Sequence, residues 1–311
     1  MSLNTQPVGF IGLGIMGQGM AARLITQKVA GTPERPLHIF NRTPSVSKEF
    51  VAAHPDAAIV VAETPADVVK AAGVTYSMLS TPEAASSVFN AKEGTLAGVS
   101  DGKSIVDCAT LAETDHQMMS KAVIAAGGRY LEAPVSGSKG PAIQGALVFL
   151  CGGPESLFTE VADGLASMGK ASHFLGEEVG VGTRAKLVVN SVMGTMLASF
   201  SEGINLAQAA GLAGDKMVEI FGQGACAAPM FALKGPKLVK EGGADHATNF
   251  PLKHAHKDML LASQMAKKLG VYYGVNDEAE ALYKRARDES EDLKDLDFSA
   301  VYEQIKRQKK E

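Results

Sequence analysis

Through the first 180 residues, short and nearly continuous apolar runs alternate with stretches whose apolar positions recur every three or four residues. The strand-like runs are Val8–Ile11, Leu37–Phe40, Ile59–Val61, 74–79, Ser104–Asp107, 129–133 and 146–151; helical patterns such as Gly17–Thr26, 65–72 and 111–126 fall between most of them. Strand followed by helix, repeated, predicts an α/β architecture with a parallel, doubly wound sheet. After residue 180 the strand signals vanish and helix formers dominate, so the pattern predicts a second, all-α domain with its boundary near residues 180–183, giving domains 1–180 and 181–311. Loops containing glycine and proline at 222–229 and 235–243 separate the later helices. The most apolar long stretch, 187–213, is interrupted by Asn190, Glu202, Asn205 and Gln208, and reads as a long buried helix rather than a membrane span.

The first strand runs directly into Gly12-Leu13-Gly14-Ile15-Met16-Gly17 and then into a helical segment, which is the order a dinucleotide-binding turn requires. Gly12 allows the sharp turn, Gly14 lets backbone approach a pyrophosphate, and Gly17 lets the helix pack close to the strand, with the anion seated on the helix N-terminus. A carboxylate at the end of the second strand would pair with the 2′-hydroxyl of NAD. Here that strand ends in Asn41-Arg42-Thr43, where Arg42 can pair with a 2′-phosphate and stack on adenine, so NADP(H) is the expected cofactor.

Composition narrows the partners. Lys and Arg number 30 against 34 Asp and Glu, without a basic block, which argues against nucleic acid. The three cysteines, Cys108, Cys151 and Cys226, form no CxxC spacing, which argues for a reducing compartment and against a disulfide framework or structural zinc. The segment from Met1 to Pro7 lacks the features of a targeting peptide, and a cytoplasmic protein without a membrane partner is expected. His254 and His256 stand two apart, so on a helix they diverge, and no metal site is expected. Nothing nearby lowers the pKa of Cys108, and no catalytic role is assigned to it. The segment from Lys306 to Lys310 reads as a solvated helix end.

Two further segments carry candidate chemistry. Glu132-Ala133-Pro134-Val135-Ser136-Gly137-Ser138 follows a strand and can aim backbone N–H groups and the Ser136 hydroxyl at a carboxylate or carbonyl oxygen. Farther on, Lys186 and Asn190 stand i,i+4 and share one helix face beside Leu187, Val188 and Val189. Taken alone, the first is an ordinary turn and the second an ordinary surface lysine with a neighbour.

Four blocks together make the chain resemble the β-hydroxyacid dehydrogenase family, within it most nearly the glyoxylate/succinic semialdehyde reductase branch: GFIGLGIMG, EAPVSGSKGPAIQG, GVGTRAKLVVN and FPLKHAHKD. Similarity at Pro229-Met230-Phe231, Lys234-Gly235-Pro236 and from Leu296 to Val301 extends it over nearly the whole length. The resemblance implies a Rossmann domain joined by a long helix to an all-helical domain, an active site in the cleft between them, and a homodimer or homotetramer built through the helical part. It implies that Lys186 is the catalytic lysine and Asn190 its helper, and that Ser136 and Gly137 bind the substrate carboxylate and carbonyl. Phe250 and Asp258 would line or support the same site. Thr110, Lys257 and Leu79 would join Gly12, Leu13, Gly14, Ile15, Met16, Gly17, Asn41, Arg42 and Thr43 in contacting the cofactor. Ser138 stands where the wider family has a second glycine, and Ala228 where relatives often have asparagine before Pro-Met-Phe.

The implied reaction is NADPH-dependent reduction of a small aldehyde acid, glyoxylate to glycolate or succinic semialdehyde to 4-hydroxybutyrate. A lysine is mostly ammonium at neutral pH, which suits a general acid in carbonyl reduction. A 3-hydroxyisobutyrate dehydrogenase or a tartronate semialdehyde reductase is the alternative within the fold. Imine reductases of this type replace the lysine, and a non-catalytic scaffold would have lost it; its presence weighs against both.

Overall fold

The computed structural model describes residues 5–290 and 292–308; Lys309 and Lys310 of the expected helix end lie outside the described residues. The chain divides into two compact units, Met1–Lys186 and Leu187–Glu311.

In the first unit the order is β1 (Val8–Ile11), α1 (Gly17–Thr26), β2 (Leu37–Phe40), α2 (Pro44–Ala52), β3 (Ile59–Val61), α3 (Pro65–Ala71), β4 (Val74–Ser77), α4 (Pro82–Asn90), β5 (Ser104–Asp107), α5 (Glu113–Ala125) and β6 (Arg129–Glu132). These six strands form one sheet in the order β3-β2-β1-β4-β5-β6, and every pairing is parallel, as the alternation predicted. The central strands β1, β4 and β5 are buried at every position, because helices cover both faces of such a sheet. The helices start on recognisable signals. Thr64 and Thr81 accept hydrogen bonds from Asp67 N (3.1 Å) and Ala84 N (3.2 Å), and each is followed by a proline that needs no N–H partner.

A second, three-stranded sheet departs from the single sheet expected. It consists of β7 (Val135–Ser136), β8 (Leu147–Cys151) and β9 (Gly169–Phe174), with β7 antiparallel and β9 parallel to β8. Pro134 separates β7 from β6, so the run at 129–133 ends at Glu132 and a new strand begins after it. β9 carries Lys170, Ser172 and His173 and therefore shows no apolar run to find. Short helices α6 (Lys139–Gln144), α7 (Glu155–Glu160) and α8 (Ala162–Met168) fill the connections.

The second unit is helical. The helix α9 (Val181–Ala209) begins within the first unit and continues through the second, followed by α10 (Gly214–Gln223), α11 (Pro229–Leu238), α12 (Leu252–Leu269), α13 (Gly274–Asp288) and α14 (Val301–Arg307). The division into units therefore falls inside α9, six residues past the change in composition at residue 180, because the first turn of α9 is anchored to the first unit. By length and composition α9 could cross a membrane, but half of its most apolar window is buried inside the protein, as a core helix would be. The core of the unit gathers Leu197, Phe200, Ile204, Phe231, Met259, Tyr283 and Phe298; Phe200 stacks on Phe231 at 4.3 Å. The loop expected at 235–243 starts only after α11, because Gly235 and Pro236 lie inside that helix. At Gly235 a Cβ would come within 2.7 Å of Val218 Cγ1, so the glycine serves close helix packing rather than a turn.

Candidate active site

The first group of candidate residues gathers at the C-terminal ends of the parallel strands, where the strand order reverses between β1 and β4. Gly12 follows β1 with φ +97°, and a Cβ there would run into the Met78 carbonyl and approach Leu79 Cδ2 at 3.0 Å. A Cβ on Gly17 would strike the Gly12 carbonyl oxygen, so both positions require glycine. Gly14 differs: it is exposed, and nothing lies within 4 Å of where its Cβ would be. That open space ahead of α1 leaves room in which a pyrophosphate could be seated. Leu13 is buried, Ile15 exposed and Met16 half-buried.

At the end of β2, Asn41 accepts from the Leu13 N–H at 3.0 Å and donates to the Thr43 carbonyl at 3.1 Å. Its amide thus ties the glycine turn to the second strand. Arg42 and Thr43 beside it are exposed, leaving the guanidinium open to a 2′-phosphate. Thr110, half-buried, lies three residues beyond β5. At the end of β5 Asp107 is buried, accepts from Ala109 N at 3.0 Å and accepts from the Tyr130 hydroxyl at 3.4 Å. Burial, opposed in part by His116, pushes the Asp107 carboxyl up, and burial beside Asp107 pushes the Cys108 thiol well up. Cys108 is thus an unreactive neutral thiol.

Ser136 sits on β7, paired in register with Val148, and Gly137 follows with φ +133°. Four residues before Ser136, Glu132 is 0% exposed, and its two carboxylate oxygens accept from the backbone N–H groups of Gly180 and Thr183 at the start of α9. Sequence reasoning assigned no role to Glu132. One turn beyond Thr183, Lys186 is 5% exposed, and Asn190 stands one turn farther along the same helix.

In the second unit Asn190 Nδ2 donates to Asp258 Oδ2 at 2.6 Å, and Lys257 Nζ lies 3.0 Å from Asp258 Oδ1. Asn190, Lys257 and Asp258 therefore form one connected group on α9 and α12. Phe250 packs edge-on against Phe298 at 5.5 Å, and its N–H donates to Asp297 Oδ2 at 3.2 Å. Asp297 in turn accepts from the buried Lys234 ammonium at 2.6 Å, a pair that sequence reasoning did not find. His254 and His256 lie on α12; His256 Nε2 meets Glu280 at 2.6 Å, and no group of three or more candidate metal ligands occurs among the described residues.

A glycine cradle at the switch point of a parallel sheet, with a buried lysine at the start of the helix leading into a helical unit, defines the class of two-domain nucleotide-dependent oxidoreductases. Comparison with known proteins specifies it further. A family model described as the NAD binding domain of 6-phosphogluconate dehydrogenase matches residues 7–179, and one described as NAD-binding of NADP-dependent 3-hydroxyisobutyrate dehydrogenase matches residues 180–305. Glyoxylate/succinic semialdehyde reductase 2, chloroplastic, of Arabidopsis thaliana is 41% identical over 304 residues, covering 98% of this chain and 80% of the relative. Glyoxylate/succinic semialdehyde reductase 1 of the same plant is 40% identical over 96% of this chain and 98% of its own. The crystal structure of 3-hydroxyisobutyrate dehydrogenase from Salmonella typhimurium shares the fold with a TM-score of 0.84 at 21% identity, over 96% of this chain and 99% of that one. The chain belongs to the β-hydroxyacid dehydrogenase family of NADP-linked oxidoreductases.

Proposed function

We propose that the protein reduces small aldehyde acids, glyoxylate and succinic semialdehyde foremost, with NADPH. The observation that carries the reading is the pairing of an open glycine cradle at Gly14 with a buried lysine on α9, in a chain about 40% identical to two reductases so named. The first unit serves as the NADP-binding domain and the second as the substrate and self-association domain.

When bound, NADPH supplies the hydride. The turn from Gly12 to Gly17, with Leu13, Ile15 and Met16, would seat the pyrophosphate, and Arg42, with Thr43, would take the 2′-phosphate; Asn41 holds that edge to the turn, and by the family resemblance Leu79, Thr110 and Lys257 would add cofactor contacts. Ser136 and the Gly137 N–H hold the substrate carboxylate and so fix the angle at which the carbonyl carbon is presented. Lys186 gives its proton to the developing alkoxide oxygen. Asn190, steadied by Asp258, orients the lysine or the substrate oxygen, and Phe250 and Asp258 would serve on the substrate side, as the family resemblance implies. A positioned acid contributes ~10²–10⁴-fold, so Lys186→Ala lowers kcat by about that factor and leaves NADPH affinity intact. Turnover near that of the unaltered enzyme refutes the role.

Steady-state assays with glyoxylate, succinic semialdehyde, tartronate semialdehyde and 3-hydroxyisobutyrate, each with both nucleotides, test substrate and cofactor together. Arg42→Ala should erode the preference for NADPH over NADH; an unchanged ratio removes Arg42 from the 2′-phosphate site. Val188, Val189, Val192 and Leu206 stand exposed on α9, which supports self-association through the helical unit, read by sedimentation. Cys108 and Cys151 are free, buried thiols, which fits a reducing compartment such as the cytoplasm.

A further inference from the structure

The helix that carries Lys186 starts without a cap of its own. Its first residue is Val181, and the residue in the capping position is Gly180, which has no side chain to satisfy the N–H groups left open at a helix start. Gly180 also sits at φ +121°, and a Cβ on Gly182 would collide with the Leu150 carbonyl and approach Glu132 Oε1 at 3.1 Å. The cap comes instead from a residue 48 positions earlier in the chain. One oxygen of Glu132 accepts from Gly180 N and the other from Thr183 N, so the fully buried carboxylate spans the first turn of α9. A negative charge is favoured there by the helix dipole.

The same residue is fixed from its other side. Glu132 closes a two-way backbone pair with Gly152, each N–H donating to the other's carbonyl at 2.9 Å, at the end of β6. From there Ala133, Pro134 and Val135 lead directly to Ser136, while Thr183 stands one helical turn before Lys186. One carboxylate thus sits between the strand that presents Ser136 and the turn that presents Lys186, entirely within the first unit.

We propose that Glu132 is a positioning residue for the reduction: its carboxylate sets the start of α9, and through it Lys186, relative to the substrate-binding strand. The proposal rests on the roles of Lys186 and Ser136 given above. A purely structural carboxylate would affect folding and nothing else, whereas a positioning one sets how often Lys186 and the substrate oxygen meet in reactive geometry.

Glu132→Gln replaces one acceptor with an N–H donor facing a backbone N–H, and Glu132→Asp keeps both acceptors and the charge but shortens the reach by one methylene. A displacement of about 1 Å at a reacting group costs up to ~10²-fold, so E132Q is expected to lower kcat at least about tenfold and E132D by less. KM for the aldehyde acid rises by a smaller factor, NADPH affinity holds, and the primary isotope effect with 4-deuterated NADPH increases because hydride transfer becomes slower relative to release. If kcat and the isotope effect stay at the values of the unaltered enzyme while only Tm falls, the proposal is overturned. Should E132Q not fold, E132D decides. Independently, amide hydrogen exchange on the unaltered protein should show Gly180 and Thr183 among the slowly exchanging amides of the first unit; exchange at the rate of exposed loops overturns the anchoring. If the unaltered enzyme turns over no aldehyde acid, the functional reading fails, and the exchange result still judges the anchor.

Discussion

Glu132 in the first unit and Asp297 in the second are both carboxylates withdrawn from water, and the two units hold them in different ways. Glu132 receives two backbone N–H groups at a helix start, whereas Asp297 receives the Lys234 ammonium at 2.6 Å together with the N–H groups of Asn249, Phe250 and Ser299. The contrast extends beyond these residues. Around the glycine turn and the start of α9, positions are set by backbone: glycines without a Cβ, strand ends and N–H groups aimed at a shared edge. In the second unit they are set by side chains meeting side chains, Asn190 with Asp258, Lys234 with Asp297 and His256 with Glu280. The first mode is sensitive to added volume, and the second to lost charge.

The largest test of that contrast is Lys234→Met. It leaves the Asp297 carboxylate buried without its cation, and breaking such a pair typically costs ~3–5 kcal/mol; chemical denaturation reads it. The double variant K234M/D297N should recover part of the loss, and a loss confined to ~1 kcal/mol would place the pair with weak surface bridges. Next comes a pair of alanine substitutions in the glycine turn. Gly17→Ala drives a Cβ onto the Gly12 carbonyl oxygen and should cost ~1–3 kcal/mol in stability as overpacking does. Gly14→Ala, which meets nothing within 4 Å, should leave Tm unchanged and raise KM for NADPH alone. If both variants melt alike, the separation of a folding glycine from a binding glycine fails.

The smallest effect concerns pH. Burial, with Lys257 beside His254 and Arg287 beside His256, outweighs the nearby Asp258 and Glu280 carboxylates and holds both imidazoles below the ordinary 6.5. The folded state then binds fewer protons than the unfolded chain, so the stabilisation is fully present above about pH 6.5 and is lost as pH falls below it through the depressed values. The slope is at most ~1.4 kcal/mol per pH unit per group. His256→Gln should flatten the dependence of the denaturation midpoint between about pH 7.5 and 5.5, and an identical slope would remove His256 from the account.

This division also explains what could be read in the sequence. The parallel sheet, the order of its strands and helices and the cofactor turn were legible, because apolar alternation and glycine spacing are local signals. The shared helix face of Lys186 and Asn190 was legible from their spacing, one turn apart, but only the family resemblance gave the two a role. Glu132 was printed inside a recognisable block, yet its task depends on Gly180 and Thr183, which no local pattern joins to it. Lys234 and Asp297 lie 63 residues apart and looked like ordinary charged residues. β9, with Lys170, Ser172 and His173, lacked the apolar run that betrays a strand, and Gly235-Pro236 carried the signature of a loop while packing inside a helix.

The strand order has a consequence for synthesis on the ribosome. β1 lies inside the sheet, between β2 and β4, and its second neighbour is not made until Val74 pairs with Val8. At ~5–20 residues per second, the nascent strand waits several seconds with one hydrogen-bonding edge bare, while both partners of a hairpin such as β7 and β8 emerge almost together. The unpaired backbone edge of an apolar strand is a template for a second chain. The interval between residues 11 and 74 is therefore when this protein depends most on being shielded from its neighbours.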